Sequence, residues 1–307
     1  MIKLFLLTGF LGAGKTTLLQ KLLTEFHDEK IGVIVNEFGQ AGIDGTLVAQ
    51  NGILMHELNN GSIFCSCIKE NFLDSLIALS NREISCLFIE ASGLADPANM
   101  PQILRTVNAK AGTPYDYRGS ICIADAETFC DYCSLLPALH QQVACSGAVI
   151  VNKADLVSEE ALTDVLERVR SINPAAAIEV TTDCRTDLRR LTGDLNTPDL
   201  SDAETSNTPE SRPKTVVLTA KEPLPAEFLY AFLDRIKAHT YRIKGFARVE
   251  DGIVYISGMK NHLQIEPWTG AFSGTEIVVI SAVGIQIVSR ITKELDGELK
   301  DKIKIGM

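Results

Sequence analysis

Residues 9–16 read Gly-Phe-Leu-Gly-Ala-Gly-Lys-Thr, a full match to G-x-x-x-x-G-K-S/T. Glycines let the backbone curl without Cβ clashes, so that successive N–H groups turn inward onto phosphate oxygens. Such a loop needs a strand to enter by and a helix to leave by, because the helix N-terminus completes the anion site. Both are present: Ile2–Leu7 is a continuous apolar run and Thr16–Glu25 has helical character. The expected phosphate-binding residues are Gly9, Gly12, Ala13, Gly14, Lys15, Thr16 and Thr17. Lys15 is to reach the β- and γ-phosphates and the Thr16 hydroxyl is to ligate Mg²⁺.

The same alternation continues to about Thr192. Ile31–Asn36, Ile84–Glu90, Ser120–Asp125 and Ala148–Asn152 are short apolar runs bounded by Gly, Asn, Asp or Glu. Asn71–Leu79 and Glu159–Ile172 are helical in character. Continuous apolarity suits parallel strands covered on both faces, so the expected fold is α/β, a P-loop sheet flanked by helices over residues 1–192. Residues 193–214 are rich in Asp, Ser, Thr, Asn and Pro, with almost no large apolar side chains, and read as a flexible linker. Residues 215–307 form a small α+β domain. Its expected strands are Thr215–Ala220, Ile243–Val249, Ile253–Ser257, Leu263–Glu266 and Ile277–Ser281, and its expected helices Ala226–Ala238 and Ile285–Leu299.

Asn152-Lys153-Ala154-Asp155 follows the strand Ala148–Val151 directly. At a strand's carboxyl end this tetrapeptide suits guanine. The Asp155 carboxylate can accept from both N1–H and the exocyclic amine, a donor pair that adenine lacks. Asn152 can contact the purine edge and hold the loop, and the Lys153 stem can lie along the base. A kinase using ATP would fit the phosphate loop but leave this tetrapeptide unexplained. The run Leu87–Glu90 ends in an acid, with Gly93 three residues later. Glu90 is expected to hold hydrated Mg²⁺ and the Gly93 amide to sense the γ-phosphate, so Lys15, Glu90 and Gly93 are the expected catalytic group. Asn36-Glu37-Phe38-Gly39 is the expected first switch. No Gln follows Gly93 in the manner of a self-sufficient hydrolase, so intrinsic turnover is expected to be slow.

Composition limits the partners. The 29 Lys and Arg against 39 Asp and Glu give a net charge of −10. That balance argues against a nucleic-acid footprint or a polybasic membrane anchor. No apolar run reaches the roughly 18 residues of a membrane span, and Met1–Leu7 is too short for a signal peptide. The expected location is the cytoplasm, where the eight cysteines (65, 67, 86, 122, 130, 133, 145 and 184) are reduced thiols. Cys86 and Cys122 lie inside apolar runs and are expected in the core.

Together GFLGAGKTT, VNEFGQAGID, EASGLADP and NKADL resemble the CobW family of GTPases, relatives of those that mature urease and hydrogenase. The segment Tyr241–Phe246 resembles the start of that family's C-terminal domain, a small sandwich with a split βαβ core. The resemblance covers essentially the whole chain. It implies GTP hydrolysis to GDP coupled to delivery of a metal, zinc or cobalt, or of a corrinoid cofactor, to a client protein. It leaves open whether the protein is a homo-oligomer.

One departure bears on metal. The family carries G-C-x-C-C after the first switch, whereas residues 61–67 here are Gly-Ser-Ile-Phe-Cys-Ser-Cys. Ser62 and Phe64 replace two thiols, Cys65 matches by position, and Cys67 is additional. Cys65 and Cys67 are the transition-metal candidates, but two thiolates leave a tetrahedral ion half coordinated. A second reading follows, a nucleotide-dependent regulatory module that remodels a client without carrying metal. Cys130-x-x-Cys133 lies in an expected helix with no second such pair, against a zinc ribbon. His27, His56, His140, His239 and His262 are scattered, although His56 precedes the cysteine segment.

Asp155→Asn should weaken GTP binding by on the order of a hundredfold and shift preference toward xanthine nucleotides, because the donor–acceptor pattern inverts. Competition binding with GTP, XTP and ATP checks this; equal affinity of the native protein for ATP and GTP would sink the guanine assignment.

Overall fold

The computed structural model describes residues 1–36, 53–57, 69–196, 198, 213–259, 262–270 and 272–306. The chain divides into two compact units, Met1–Ser211 and Arg212–Met307. No helix among the described residues is long and apolar enough to cross a membrane.

The first unit is built on seven parallel strands: β1 (Ile2–Gly9), β2 (Ile31–Val35), β3 (Leu54–Glu57), β4 (Cys86–Glu90), β5 (Tyr115–Asp125), β6 (Ala148–Asn152) and β7 (Ala177–Val180). Their order across the sheet is β3-β2-β4-β1-β5-β6-β7. The central strands are buried along nearly their whole length, as continuous apolar runs require. The helices are α1 (Lys15–Glu25), α2 (Lys69–Ser80), α3 (Met100–Asn108), α4 (Phe129–Cys133), α5 (Pro137–Ala144), α6 (Glu159–Ile172) and α7 (Leu188–Gly193). On one face α1 and α7 bury Leu18, Leu22 and Leu191 with Phe5, Val33 and Phe88. On the other, α2 and α3 cover Leu4, Leu6 and Ile89, while α4 to α6 cover Cys122, Val149 and Val151. Cys86 and Cys122 are core residues, as expected. Helix α6 has the expected bounds, and the structure shows why it starts there: Ser158 caps it by accepting from Ala161 N–H (3.2 Å), with Glu159 and Glu160 in the first turn. Past α7, Leu195 is still buried against the same core.

Strands β3 and β7 escape the apolar pattern because each is a four-residue edge strand with only one paired flank. β5 starts five residues before the expected Ser120, because Tyr115 and Tyr117 carry the strand past Gly119.

In the second unit β8 (Thr215–Ala220), β9 (Thr240–Val249), β10 (Gly252–Met259), β11 (His262–Trp268), β12 (Thr275–Ser281) and β13 (Lys304–Gly306) form a sheet of order β11-β10-β9-β12-β8-β13. Helices α8 (Ala226–Ile236), α9 (Gln286–Glu294) and α10 (Gly297–Lys300) pack on it through Leu229, Phe232, Ile287, Ile291 and Leu299. Because β12 lies antiparallel between β8 and β9, the unit β8-α8-β9 is a split βαβ. The single closing helix expected over Ile285–Leu299 is two: Leu295 turns extended and the chain re-enters a helix at Gly297.

Phe88 is fully buried and packs against Phe5 (5.4 Å between centroids) and Phe26 (5.7 Å), joining three elements of the first unit. Phe88→Ala should cost about 3–5 kcal/mol of that unit's stability, read from the shift of its denaturant midpoint.

Candidate functional site

The carboxyl edge of the seven-stranded sheet gathers the expected residues. β1 ends at Gly9 and α1 begins at Lys15, with Gly9, Gly12 and Gly14 at φ values of 134°, 69° and 113°. Those angles belong to glycine, and space enforces them too. A side chain at Gly9 would run into the Ile123 carbonyl on β5, and a Cβ at Gly14 would stand 2.7 Å from Asn152 Nδ2. The loop closes round the Lys15 ammonium, which donates to the carbonyls of Gly9 (2.9 Å) and Phe10 (3.0 Å) and is buried. An ammonium beside a helix N-terminus is a favourable setting for an anion. Ala13 is buried in the loop floor, and Thr17 lines a hollow beside α1 with Gln20 and Lys21.

Thr16 Oγ1 donates to Glu90 Oε1 at 2.7 Å, joining the start of α1 to the end of β4 across 74 residues. Hydroxyl and carboxylate are hard oxygen donors, the set that suits Mg²⁺. Gly93 lies just beyond, folded onto the phosphate loop so closely that a Cβ there would meet Leu11 N at 2.6 Å. Its carbonyl accepts from Gln142 on α5.

At the other end of the edge, the buried Asn152 side chain serves three partners. Nδ2 donates to Ala13 O (3.0 Å), while Oδ1 accepts from Thr181 Oγ1 (3.1 Å) and Cys184 N–H (2.8 Å). Lys153 adopts a left-handed backbone (φ 62°), and its ammonium pairs with buried Asp125 at 2.6 Å. Asp155, in the turn Ala154–Leu156, is exposed and open to a ligand. The loop after β7 holds two consecutive left-handed residues, Asp183 (φ 55°) and Cys184 (φ 52°), an arrangement Asn152 braces.

Sequence reading missed Asp125, Thr181 and Cys184. Asp125 shares with Glu90 the one available signal, an acid closing an apolar strand. Thr181–Cys184 follows a strand too short to announce itself.

Cys65, Cys67 and residues 37–39 of the expected first switch lie outside the described residues. Among the described residues no group of three or more His, Cys, Asp or Glu could hold a metal ion. Cys130 is exposed and Cys133 buried on α4, and burial pushes both thiols up, against thiolate formation. Burial takes Cys86, Cys122, Cys145 and Cys184 further, to about 12.

Residues 3–179 match the family model of the CobW/HypB/UreG nucleotide-binding domain, and residues 214–298 that of the cobalamin synthesis protein cobW C-terminal domain. The zinc chaperone YjiA of Escherichia coli is 34% identical over 183 residues, 58% of this chain and 57% of that protein. The zinc-regulated GTPase metalloprotein activator 1 of Saccharomyces cerevisiae is 30% identical over 216 residues, 62% of this chain and 50% of that one. The crystal structure of zinc(II)-bound YjiA superposes with a TM-score of 0.48 and 23% identity over 95% of this chain and 97% of that one. The chain spans less than two thirds of the length of the curated relatives it matches.

Asn152→Ala should strand the Cys184 N–H and release the phosphate loop from the base loop. The expected cost is about 2–3 kcal/mol of stability, since buried groups lose partners, with nucleotide affinity falling at least as far. Thermal melts with and without GDP check both; unchanged GDP stabilisation would show that the two loops hold without this amide.

Proposed function

Since the chain belongs to the CobW/HypB/UreG family of nucleotide-binding proteins, we propose that it binds GTP, hydrolyses it to GDP and phosphate, and couples that cycle to delivery of a metal ion to a client metalloprotein. The observation that carries this reading is the convergence on one sheet edge of a phosphate receptor (Lys15, Thr16, Glu90) and a base loop (Asn152–Asp155) tied together by one amide.

The chain's own residues supply most of the chemistry. Loop amides and the Lys15 ammonium neutralise charge on the transferred phosphoryl group, which is what phosphoryl transfer asks of a protein. Glu90 and Thr16 would hold Mg²⁺, which when bound spreads that charge further. The Gly93 loop rests on Leu11 of the phosphate loop, so a terminal phosphate bound by that loop would be sensed through its packing. Asp155 selects guanine. Turnover is slow, because no Gln follows Gly93 in the sequence to orient the attacking water.

Zinc is the favoured cargo, since relatives 34% identical over 58% and 56% of this chain are zinc chaperones; cobalt or a corrinoid are the alternatives. The site of work is the cytoplasm, where Cys65 and Cys67 stay reduced and offer two of the ligands, the rest coming from other side chains, water or a second copy. The replacement of two family thiols by Ser62 and Phe64 favours a second reading, a regulator that remodels its client without carrying metal.

Two measurements test this. Native protein should hydrolyse GTP and Lys15→Ala should not; near-native turnover in Lys15→Ala would refute the phosphate-receptor assignment. Zinc and cobalt titrations should give binding that Cys65→Ala/Cys67→Ala abolishes and Cys130→Ala/Cys133→Ala leaves intact, weakening below the thiol pKa as ligands protonate. A native protein that binds neither metal, with GDP or with a GTP analogue, would favour the metal-free regulator.

A further inference from the structure

Gln142 lies on α5, is 1% exposed, and aims its amide out of the helix at a loop on another element. Nε2 donates to Ala95 O at 2.9 Å and to Gly93 O at 3.2 Å. Burying a primary amide is costly unless its hydrogens find acceptors, and a leucine would fill such a space without that cost. Here both contacts fall on alternate carbonyls of the loop that follows β4. The opposite side of that loop rests on Leu11 of the phosphate loop, with no room for a Cβ at Gly93. The loop is held between a phosphate-binding backbone and one amide.

That amide is rigidly based. Ser146 Oγ donates to the Gln142 carbonyl (2.6 Å), Asn173 Nδ2 donates to the carbonyls of Val143 (2.9 Å) and Ser146 (2.8 Å), and Ser120 Oγ donates to Cys145 O (2.8 Å). Helix α5 is thereby bolted to β5 and to the end of α6, so Gln142 acts from a fixed point. Because a peptide unit is planar, fixing the Gly93 carbonyl fixes the direction of the Leu94 N–H as well.

We infer that Gln142 is a positioning residue: it holds the Gly93–Ala95 backbone in the attitude from which that loop meets the terminal phosphate of a nucleoside triphosphate. It touches no reacting atom, and its effect runs through the loop. The inference rests on the GTPase reading above. It implies that Gln142 matters to the triphosphate state and not to the diphosphate, which has no terminal phosphate for the loop to meet.

The test is Gln142→Met, which keeps length and removes both donors. Affinity for a non-hydrolysable GTP analogue should fall about tenfold and hydrolysis by a similar factor, with GDP affinity within about twofold of native, the split expected when a contact serves only one ligand state. A merely structural role would move both affinities together. That result, or no change in either, overturns the inference. Hydrogen exchange on the native protein gives a measurement that needs no variant. Amides 93–96 should exchange more slowly with the GTP analogue than with GDP, while amides of α5 exchange alike in both; equal rates at 93–96 would also overturn it. A native protein that does not hydrolyse GTP overturns the GTPase reading and this inference with it, whereas a native hydrolase with an indifferent Gln142→Met overturns this inference alone.

Discussion

A single carboxamide sets the length of the candidate site. Asn152 reaches from the end of β6 to Ala13 in the phosphate loop and braces Thr181 and Cys184 in the loop after β7. The partners are 139, 29 and 32 residues away in sequence, so no local preference could hold these loops in register. The same amide stands against Gly14, whose missing side chain is a condition of the contact. The phosphate loop and the Asn152–Asp155 turn are therefore one mechanical unit. A ligand that spans both ends meets a receptor of preset length, which lowers the ordering cost of binding.

What could be read from the sequence follows from range. The glycine loop, the Asn152–Asp155 turn and helix α6 were legible, because backbone freedom, strand-end position and helical character are local. The split βαβ core of the second unit came from the resemblance of Tyr241–Phe246, which lies in β9. The side chains that hold the site together were not legible. Lys153 with Asp125 and Gln142 with the Gly93 loop are pairings of residues 28 and 49 apart, with no periodic signature. Strands β3 and β7 were missed for a different reason: edge strands are half exposed and short, so the two-sided apolarity that betrays a central strand is absent. The break at Leu295 was hidden because Ile285–Leu299 keeps its apolar spacing across two helices.

The thiols divide along the same lines. Cys86, Cys122, Cys145 and Cys184 are pushed up to about 12 by burial, and behave as small apolar residues at neutral pH. Cys184 is the instructive case. It sits beside Gly14 in the heart of the site, yet its backbone N–H, not its sulfur, carries its main contact. Position near a ligand is not by itself chemistry. Cys65 and Cys67, the proposed metal ligands, lie outside the described residues.

The second unit has an ordering consequence of its own. Its entry strand β8 is paired on its outer side by β13, with Leu218 opposite Ile305. A strand made first therefore keeps an open edge until residue 306 has been synthesised. The seven strands of the first unit are all upstream by Val180. During translation the nucleotide-binding half can close its sheet while its companion still exposes an unpaired strand. The half that reads phosphate is finished before the half that follows it can be.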